Sequence, residues 1–82
     1  MKGPHVTVYG SMTCPDTTRT LSYLEGREVA FEFKDLDESP ELNDYVASLN
    51  GGKRVMPTIR IDDHVLINPA EVDLAAAIVG GE

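Results

Sequence analysis

The sequence predicts a single α/β domain, a four-stranded mixed sheet with helices on both faces, and three observations predict it. From His5 to Leu36 the chain reads strand, helix, strand within roughly thirty residues, a βαβ unit whose crossover handedness makes its two strands parallel. From Thr58 to Ile67 two short β-branched runs flank Asp62-Asp63, the pattern of an antiparallel hairpin. Two further helical stretches lie before and after that hairpin, so the order is β-α-β-α-β-β-α. With 82 residues there is room for one modest core and not for two.

His5-Val6-Thr7-Val8-Tyr9 has the β-branched and aromatic composition of a strand, punctuated by Gly10 and Ser11. Pro15 suits the first turn of a helix, where its missing N–H costs nothing, and the helix runs to about Glu25 with Leu21 and Leu24 inward and Gly26 as its stop. In Val29 to Leu36, Val29, Phe31 and Phe33 alternate with Ala30, Glu32 and Lys34, the pattern of a half-buried strand. Ser39 then suits an N-cap and Pro40 a first helical residue. Leu42, Tyr45, Val46 and Leu49 fall at i, i+3, i+4 and i+7, the clearest amphipathic helix in the chain, closed by Asn50-Gly51-Gly52. After the hairpin strands Thr58–Ile61 and Val65–Ile67, Asn68-Pro69 opens a last helix. Its inner face is expected to be Val72, Ala75, Ala76 and Val79, widened by Leu74 and Ile78 and closed by Gly80-Gly81.

Composition excludes several functions. Net charge is −7, which argues against nucleic acid or an anionic membrane surface as a partner, since both call for clustered Lys and Arg. Hydrophobic residues make up 41% and charged residues 26%, ordinary for a folded domain, so disorder is not expected. No segment approaches the ~20 apolar residues of a membrane span, and Met1-Lys2-Gly3-Pro4-His5 lacks the apolar run of a signal peptide. The chain has 1 cysteine, so no internal disulfide can form and a reducing compartment, the cytoplasm, is expected. His5 and His64 have no Cys or carboxylate at metal spacing, Asp35-Leu36-Asp37-Glu38 reads as a solvated loop, and no metal site is expected.

That cysteine is the chemical focus. In Ser11-Met12-Thr13-Cys14-Pro15-Asp16-Thr17-Thr18, Cys14 lies where a strand turns into a helix that Pro15 begins. Unpaired N–H groups and the positive end of the helix dipole meet there, and they stabilise the thiolate, the reactive form of cysteine. Asp16 suits the dipole by ~0.3–1 kcal/mol, yet its charge opposes ionisation of Cys14. Thr17 either donates a hydrogen bond to the thiolate or is a tolerated first-turn residue, and Thr13 has the same two readings.

Four motifs, in order along nearly the whole chain, resemble the glutaredoxin family and most closely its mycoredoxin branch: Val8-Tyr9 leading into Cys14-Pro15-Asp16-Thr17; Asn50-Gly51-Gly52 with Arg54; Val55-Met56-Pro57-Thr58; and Leu66-Ile67-Asn68-Pro69. The resemblance implies a thioredoxin-like fold and a thiol-disulfide oxidoreductase whose attacking residue is Cys14. Thr17 stands where the family usually has its resolving cysteine, which leaves a monothiol route completed by an external small thiol. The resemblance further implies that Pro57 is cis, that the Met56 backbone pairs with the peptide-like part of that thiol, and that Arg54, with Lys53, holds its carboxylate. Thr13, Asn68 and Pro69 complete the implied small-thiol site.

Two departures from the family matter. Ser11 stands where many glutathione-using members have Lys, so one cationic contributor to thiolate stability is absent, and Asn68-Pro69-Ala70-Glu71-Val72 replaces the common Gly-Gly-x-Asp-Asp in the form that mycoredoxins have, which bears on the cosubstrate. The small thiol is accordingly mycothiol, bacillithiol or glutathione, with no tightly bound cofactor. The implied partners are that thiol and S-thiolated proteins, the implied role is redox homeostasis, and a monomer is expected. A different class of function remains as the alternative: a 2Fe–2S cluster carrier, dimeric through Cys14 and two small thiols, although relatives of that kind usually have Cys-Gly-Phe-Ser.

Overall fold

The computed structural model describes residues 5–80; Met1 to Pro4, Gly81 and Glu82 lie outside the described residues. The elements are β1 (Val6–Gly10), α1 (Pro15–Gly26), β2 (Glu32–Asp35), α2 (Pro40–Ser48), β3 (Thr58–Ile61), β4 (His64–Ile67) and α3 (Glu71–Gly80). They stand in the predicted order. The sheet runs β2-β1-β3-β4, with β1 parallel to β2 and antiparallel to β3, and β4 antiparallel to β3.

Two-residue periodicity sorts the sheet into two faces. Val6 and Val8 stand opposite Ile61 and Ile59. On that face they are buried with Leu24 of α1 and with Leu74 and Ile78 of α3, while Phe31, Phe33 and Leu21 pack at the edge. Each fully buried Val, Leu or Ile contributes about 1.5–3 kcal/mol relative to exposure. The other face carries Tyr9, packed with Leu36, Val46, Leu42, Tyr45 and Met56 under α2. The Tyr9 and Tyr45 ring centroids are 5.5 Å apart and tilted by 57°, a favourable aromatic arrangement. One helix on one face and two on the other make the thioredoxin-like arrangement.

Four local expectations are corrected. Gly26 is the last residue of α1 and not its stop: the left-handed turn falls at Glu28, φ 58°. The Val29 N–H bonds to Leu24 O at 3.0 Å and so serves the helix exit, which shortens the strand to Glu32–Asp35. Ser39 is at the N-cap of α2 but makes no side-chain cap bond. In α3 the predicted inner face is turned around: Leu74 and Ile78 are buried with Ala77 packed beside them, whereas Val72 and Val79 are 74% and 59% exposed. Apart from Asp73, every residue from 72 to 79 is apolar, so two stripes compete, and the bulkier pair fills the space under the sheet.

Register brings four loops to one end of the sheet. Tyr9 pairs with Thr58, so Gly10, at the end of β1, lies beside Pro57, at the start of β3. Leu36 N–H is donated to Gly10 O at 2.9 Å and Asn68 N–H to Pro57 O at 2.8 Å. The loops after β1, β2 and β4 and the one before β3 therefore converge there.

Candidate active site at the start of α1

Cys14 is the N-cap of α1, with an extended backbone (φ −92°, ψ 118°) and Pro15 following it in the first turn. Its N–H is donated to Ser11 O at 3.0 Å and its C=O accepts the Thr18 N–H at 3.1 Å, so the loop and the helix grip its backbone from both sides. The sulfur-bearing residue is half-buried. Hydrogen bonding from the Thr17 hydroxyl holds its thiol below the ordinary cysteine range, reinforced by the Thr17 N–H and, more weakly, by the Asp16 N–H. Partial burial and the Asp16 carboxylate oppose this without reversing it. That carboxylate lies 3.5 Å from the Arg19 guanidinium, on an exposed flank of the helix.

Thr17 is fully buried. Its Oγ1 accepts the Ser11 N–H at 3.4 Å. The hydroxyl has this position because residue 10 is glycine: a Cβ there would stand 2.5 Å from Thr17 Oγ1 and 2.6 Å from its Cγ2. The packing fixes the place of the Thr17 hydroxyl between Gly10 and the Ser11 N–H.

Beneath the loop is a set of hydroxyls. Ser11, 2% exposed, donates its Oγ–H to Asp37 Oδ2 at 2.5 Å, and its Oγ lies 2.8 Å from Thr13 Oγ1 and 3.2 Å from the Thr13 N–H. Thr13 itself is exposed. The stretch expected to be a plain solvated loop is thus tied into the structure at two points, with Leu36 in the core and Asp37 on Ser11.

The Met56–Pro57 peptide is cis, and Pro57 is buried. Asn68, at φ 43°, takes the left-handed conformation that Asn tolerates better than most residues, and Pro69 follows it half-buried. The exposed Arg54 directs its guanidinium to the Asn43 side-chain oxygen, while Asn43 Nδ2 is donated to Leu36 O at 3.1 Å. Cys14, Thr13, Pro15, Asp16 and Thr17 form one contiguous group, and Met56, Pro57, Asn68 and Pro69 lie beside it at the same sheet end. Arg54 is drawn toward α2 instead. Sequence reasoning missed Asp37 and Asn43, whose bonds span 26 and 7 residues respectively and follow no local pattern. His5 and His64 are exposed, and among the described residues no group of three or more His, Cys, Asp or Glu could hold a metal ion.

The sequence model of the glutaredoxins matches residues 6–66. The chain belongs to the glutaredoxin family. Within that family it is mycoredoxin-like: mycoredoxin 1 of Corynebacterium glutamicum is 33% identical over 75 residues, covering 90% of this chain and 92% of that protein. A glutaredoxin-type protein of Mycobacterium tuberculosis is 28% identical over 75 residues, covering 90% of this chain and 89% of its own. The crystal structure of a glutaredoxin from Archaeoglobus fulgidus superimposes with a TM-score of 0.81 at 29% identity, over 92% of this chain and 86% of that one. Glutaredoxins are thiol-disulfide oxidoreductases that work with a low-molecular-weight thiol.

Proposed function

We propose that this glutaredoxin reduces mixed disulfides between proteins and a low-molecular-weight thiol by a monothiol route. The observation that carries the reading is a lone cysteine at the start of α1 with a buried threonine hydroxyl, not a second sulfur, three residues on. In the first step the Cys14 thiolate attacks the small-thiol sulfur of the mixed disulfide. A Cys14–small-thiol disulfide forms, and the target protein departs as its thiolate. In the second step the thiolate of another small-thiol molecule attacks that same sulfur, releasing the symmetrical small-thiol disulfide and the Cys14 thiolate. The net exchange consumes one free small thiol per target: the target sulfur is released as a thiolate, the small-thiol moiety it carried and the added one end as the symmetrical disulfide, and no second protein cysteine takes part.

Met56, Pro57, Asn68, Pro69 and Thr13 are proposed to seat the small thiol, with Arg54 or Lys53 meeting a carboxylate if the thiol has one. Ser11 in place of a cation and Asn68-Pro69 in place of a Gly-Gly motif favour a sugar-containing thiol, mycothiol or bacillithiol, over glutathione. The proposed setting is cytoplasmic redox homeostasis and the proposed state a monomer; among the described residues no helix is long and apolar enough to cross a membrane. The cluster-carrier alternative has no support from the comparisons.

Incubation of the reduced protein with the mixed disulfides of mycothiol, bacillithiol and glutathione, read by intact mass, tests both parts. The expected result is one small-thiol adduct on Cys14, lost on adding free thiol and absent in Cys14→Ser, with a sugar thiol giving the fastest turnover. Turnover retained in Cys14→Ser would remove the mechanism, and preference for glutathione would remove the cosubstrate assignment.

A further inference from the structure

We propose that Asp37, on the loop between β2 and α2, is a positioning residue for the Cys14 thiolate that acts through Ser11 on the loop carrying the sulfur. The proposal rests on Cys14 being the reacting group, and the geometry is one continuous chain of hydrogen bonds. A carboxylate only accepts, so the Ser11 Oγ–H, 2.5 Å from Asp37 Oδ2, is committed to it. The two remaining lone pairs of Ser11 Oγ then accept from Thr13, from its N–H at 3.2 Å and from its hydroxyl at 2.8 Å. The acid thereby fixes the direction of every hydrogen bond at a hydroxyl that is almost wholly out of water.

Ser11 passes this order to the sulfur by two main-chain bonds. Its C=O accepts the Cys14 N–H at 3.0 Å, which holds the N-cap in place. Its N–H is donated to Thr17 Oγ1 at 3.4 Å, which occupies a lone pair of that oxygen and leaves the Thr17 proton free to meet the thiolate. The Asp37 carboxylate is bonded to Ser11 and not to the sulfur. The charged side chain nearest in effect to the thiol is Asp16 on α1, whose partner is Arg19 on the same helix; Arg54, ahead of β3, is bonded to Asn43 on α2. Asp37 therefore works by geometry and not by charge, which sets the sign of the test.

A residue acting by charge and one acting by position shift the thiol in opposite directions. Removing a nearby negative charge favours the thiolate, so under a charge role both Asp37→Ala and Asp37→Asn lower the midpoint of Cys14 alkylation with pH. Under the positioning role Asp37→Ala raises the midpoint, slowing alkylation near neutral pH by at least about threefold because less thiolate is present, whereas Asp37→Asn keeps an acceptor for Ser11 and stays close to the parent. The experiment is the pH profile of iodoacetamide alkylation, by intact mass, for the parent, both variants and Glu38→Ala as a neighbouring-acid control, each checked by circular dichroism and thermal melting. A raised midpoint in Asp37→Ala, restored in Asp37→Asn and unchanged in Glu38→Ala with all four folded, is the expected result. Lowered or unchanged midpoints in both Asp37 variants overturn the proposal. An Asp37→Ala that fails to fold leaves the decision to Ser11→Ala, which deletes the same link and is expected to raise the midpoint likewise; no rise there overturns the proposal as well. Alkylation needs neither cosubstrate nor turnover, so failure here is distinct from failure of the monothiol mechanism.

Discussion

The starts of α1 and α2 share one local grammar and differ in chemistry. The first reads Cys14-Pro15-Asp16-Thr17 and the second Ser39-Pro40-Glu41-Leu42: a small sulfur or oxygen residue at the N-cap, proline next, then an acid. Neither N-cap side chain closes its own helix. The fourth residue separates them. Leu42 packs toward Tyr9, Leu36 and Val46, so its side chain serves the core. Thr17 is equally inward but polar, lies against a glycine that leaves it room, and holds the Ser11 N–H with its hydroxyl while helping to lower the thiol pKa at the N-cap. A proline-started helix end is thus a scaffold, and the reactive site is made by what supports it from beneath.

The largest effect expected is all-or-none. In a Cys14→Ser background, itself expected to be inactive, Ser39→Cys moves the sulfur to the other helix end. That variant is expected to give no turnover and an alkylation midpoint above that of parental Cys14, because the helix end alone supplies only ~0.3–1 kcal/mol. Recovered activity would show that the α1 surroundings are dispensable.

Gly10→Ala comes next. Its new Cβ meets Thr17 Oγ1 at 2.5 Å, and the strand at that point is held by its pairing with Asp35 of β2 and by the Leu36 N–H on its carbonyl. Overpacking of this kind costs about 1–3 kcal/mol, which lowers Tm by about 4–8 °C per kcal/mol in a domain of this size. Displacing Thr17 also raises the thiol midpoint. Gly10→Ala combined with Thr17→Ser should recover part of the lost stability in a thermal melt, since the clashing Cγ2 is gone.

The smallest effect belongs to Asp16→Asn, which removes a charge opposing the thiolate. The midpoint falls only slightly, because the carboxylate is exposed and shared with Arg19. A rise would mean that the Asp16–Arg19 pair fixes the first turn.

What the sequence makes legible follows the range of the forces involved. The element order and the mixed sheet with helices on both faces come from the β-branched runs around Val6-Val8 and Ile59-Ile61 and from the strand–helix–strand spacing, local patterns, and are read correctly. The amphipathic face of α2 is likewise local. α3 is misread because it is apolar almost all round, and only the space under the sheet selects Leu74 and Ile78 over Val72 and Val79. Cys14 is visible from its place ahead of Pro15. The support beneath it is not: Thr17 is decided by the absent Cβ of Gly10, Ser11 by a carboxylate 26 residues away, and Arg54 by Asn43 11 residues back. Side-chain hydrogen bonds across the fold carry no periodic signal, so a site assembled from them is half hidden in the sequence.

The central claim is that the Thr17 hydroxyl, in place of a second thiol, sustains the Cys14 thiolate. It predicts a pH-dependent stability with a definite sign. The thiol pKa is lowered in the fold, so its ionisation contributes stability that is fully present above the unfolded value and is lost as pH falls through the folded one. The stability of the parent relative to Cys14→Ser therefore grows as pH rises across that window. The most direct measurement is the pH profile of Cys14 alkylation in the parent and in Thr17→Val, which keeps the shape and deletes the hydroxyl. The parent should titrate below the ~8.5 of free cysteine and Thr17→Val appreciably closer to it, with stability reduced by about 1–3 kcal/mol as the Ser11 N–H loses its acceptor. Coincident profiles for the two proteins would contradict the account.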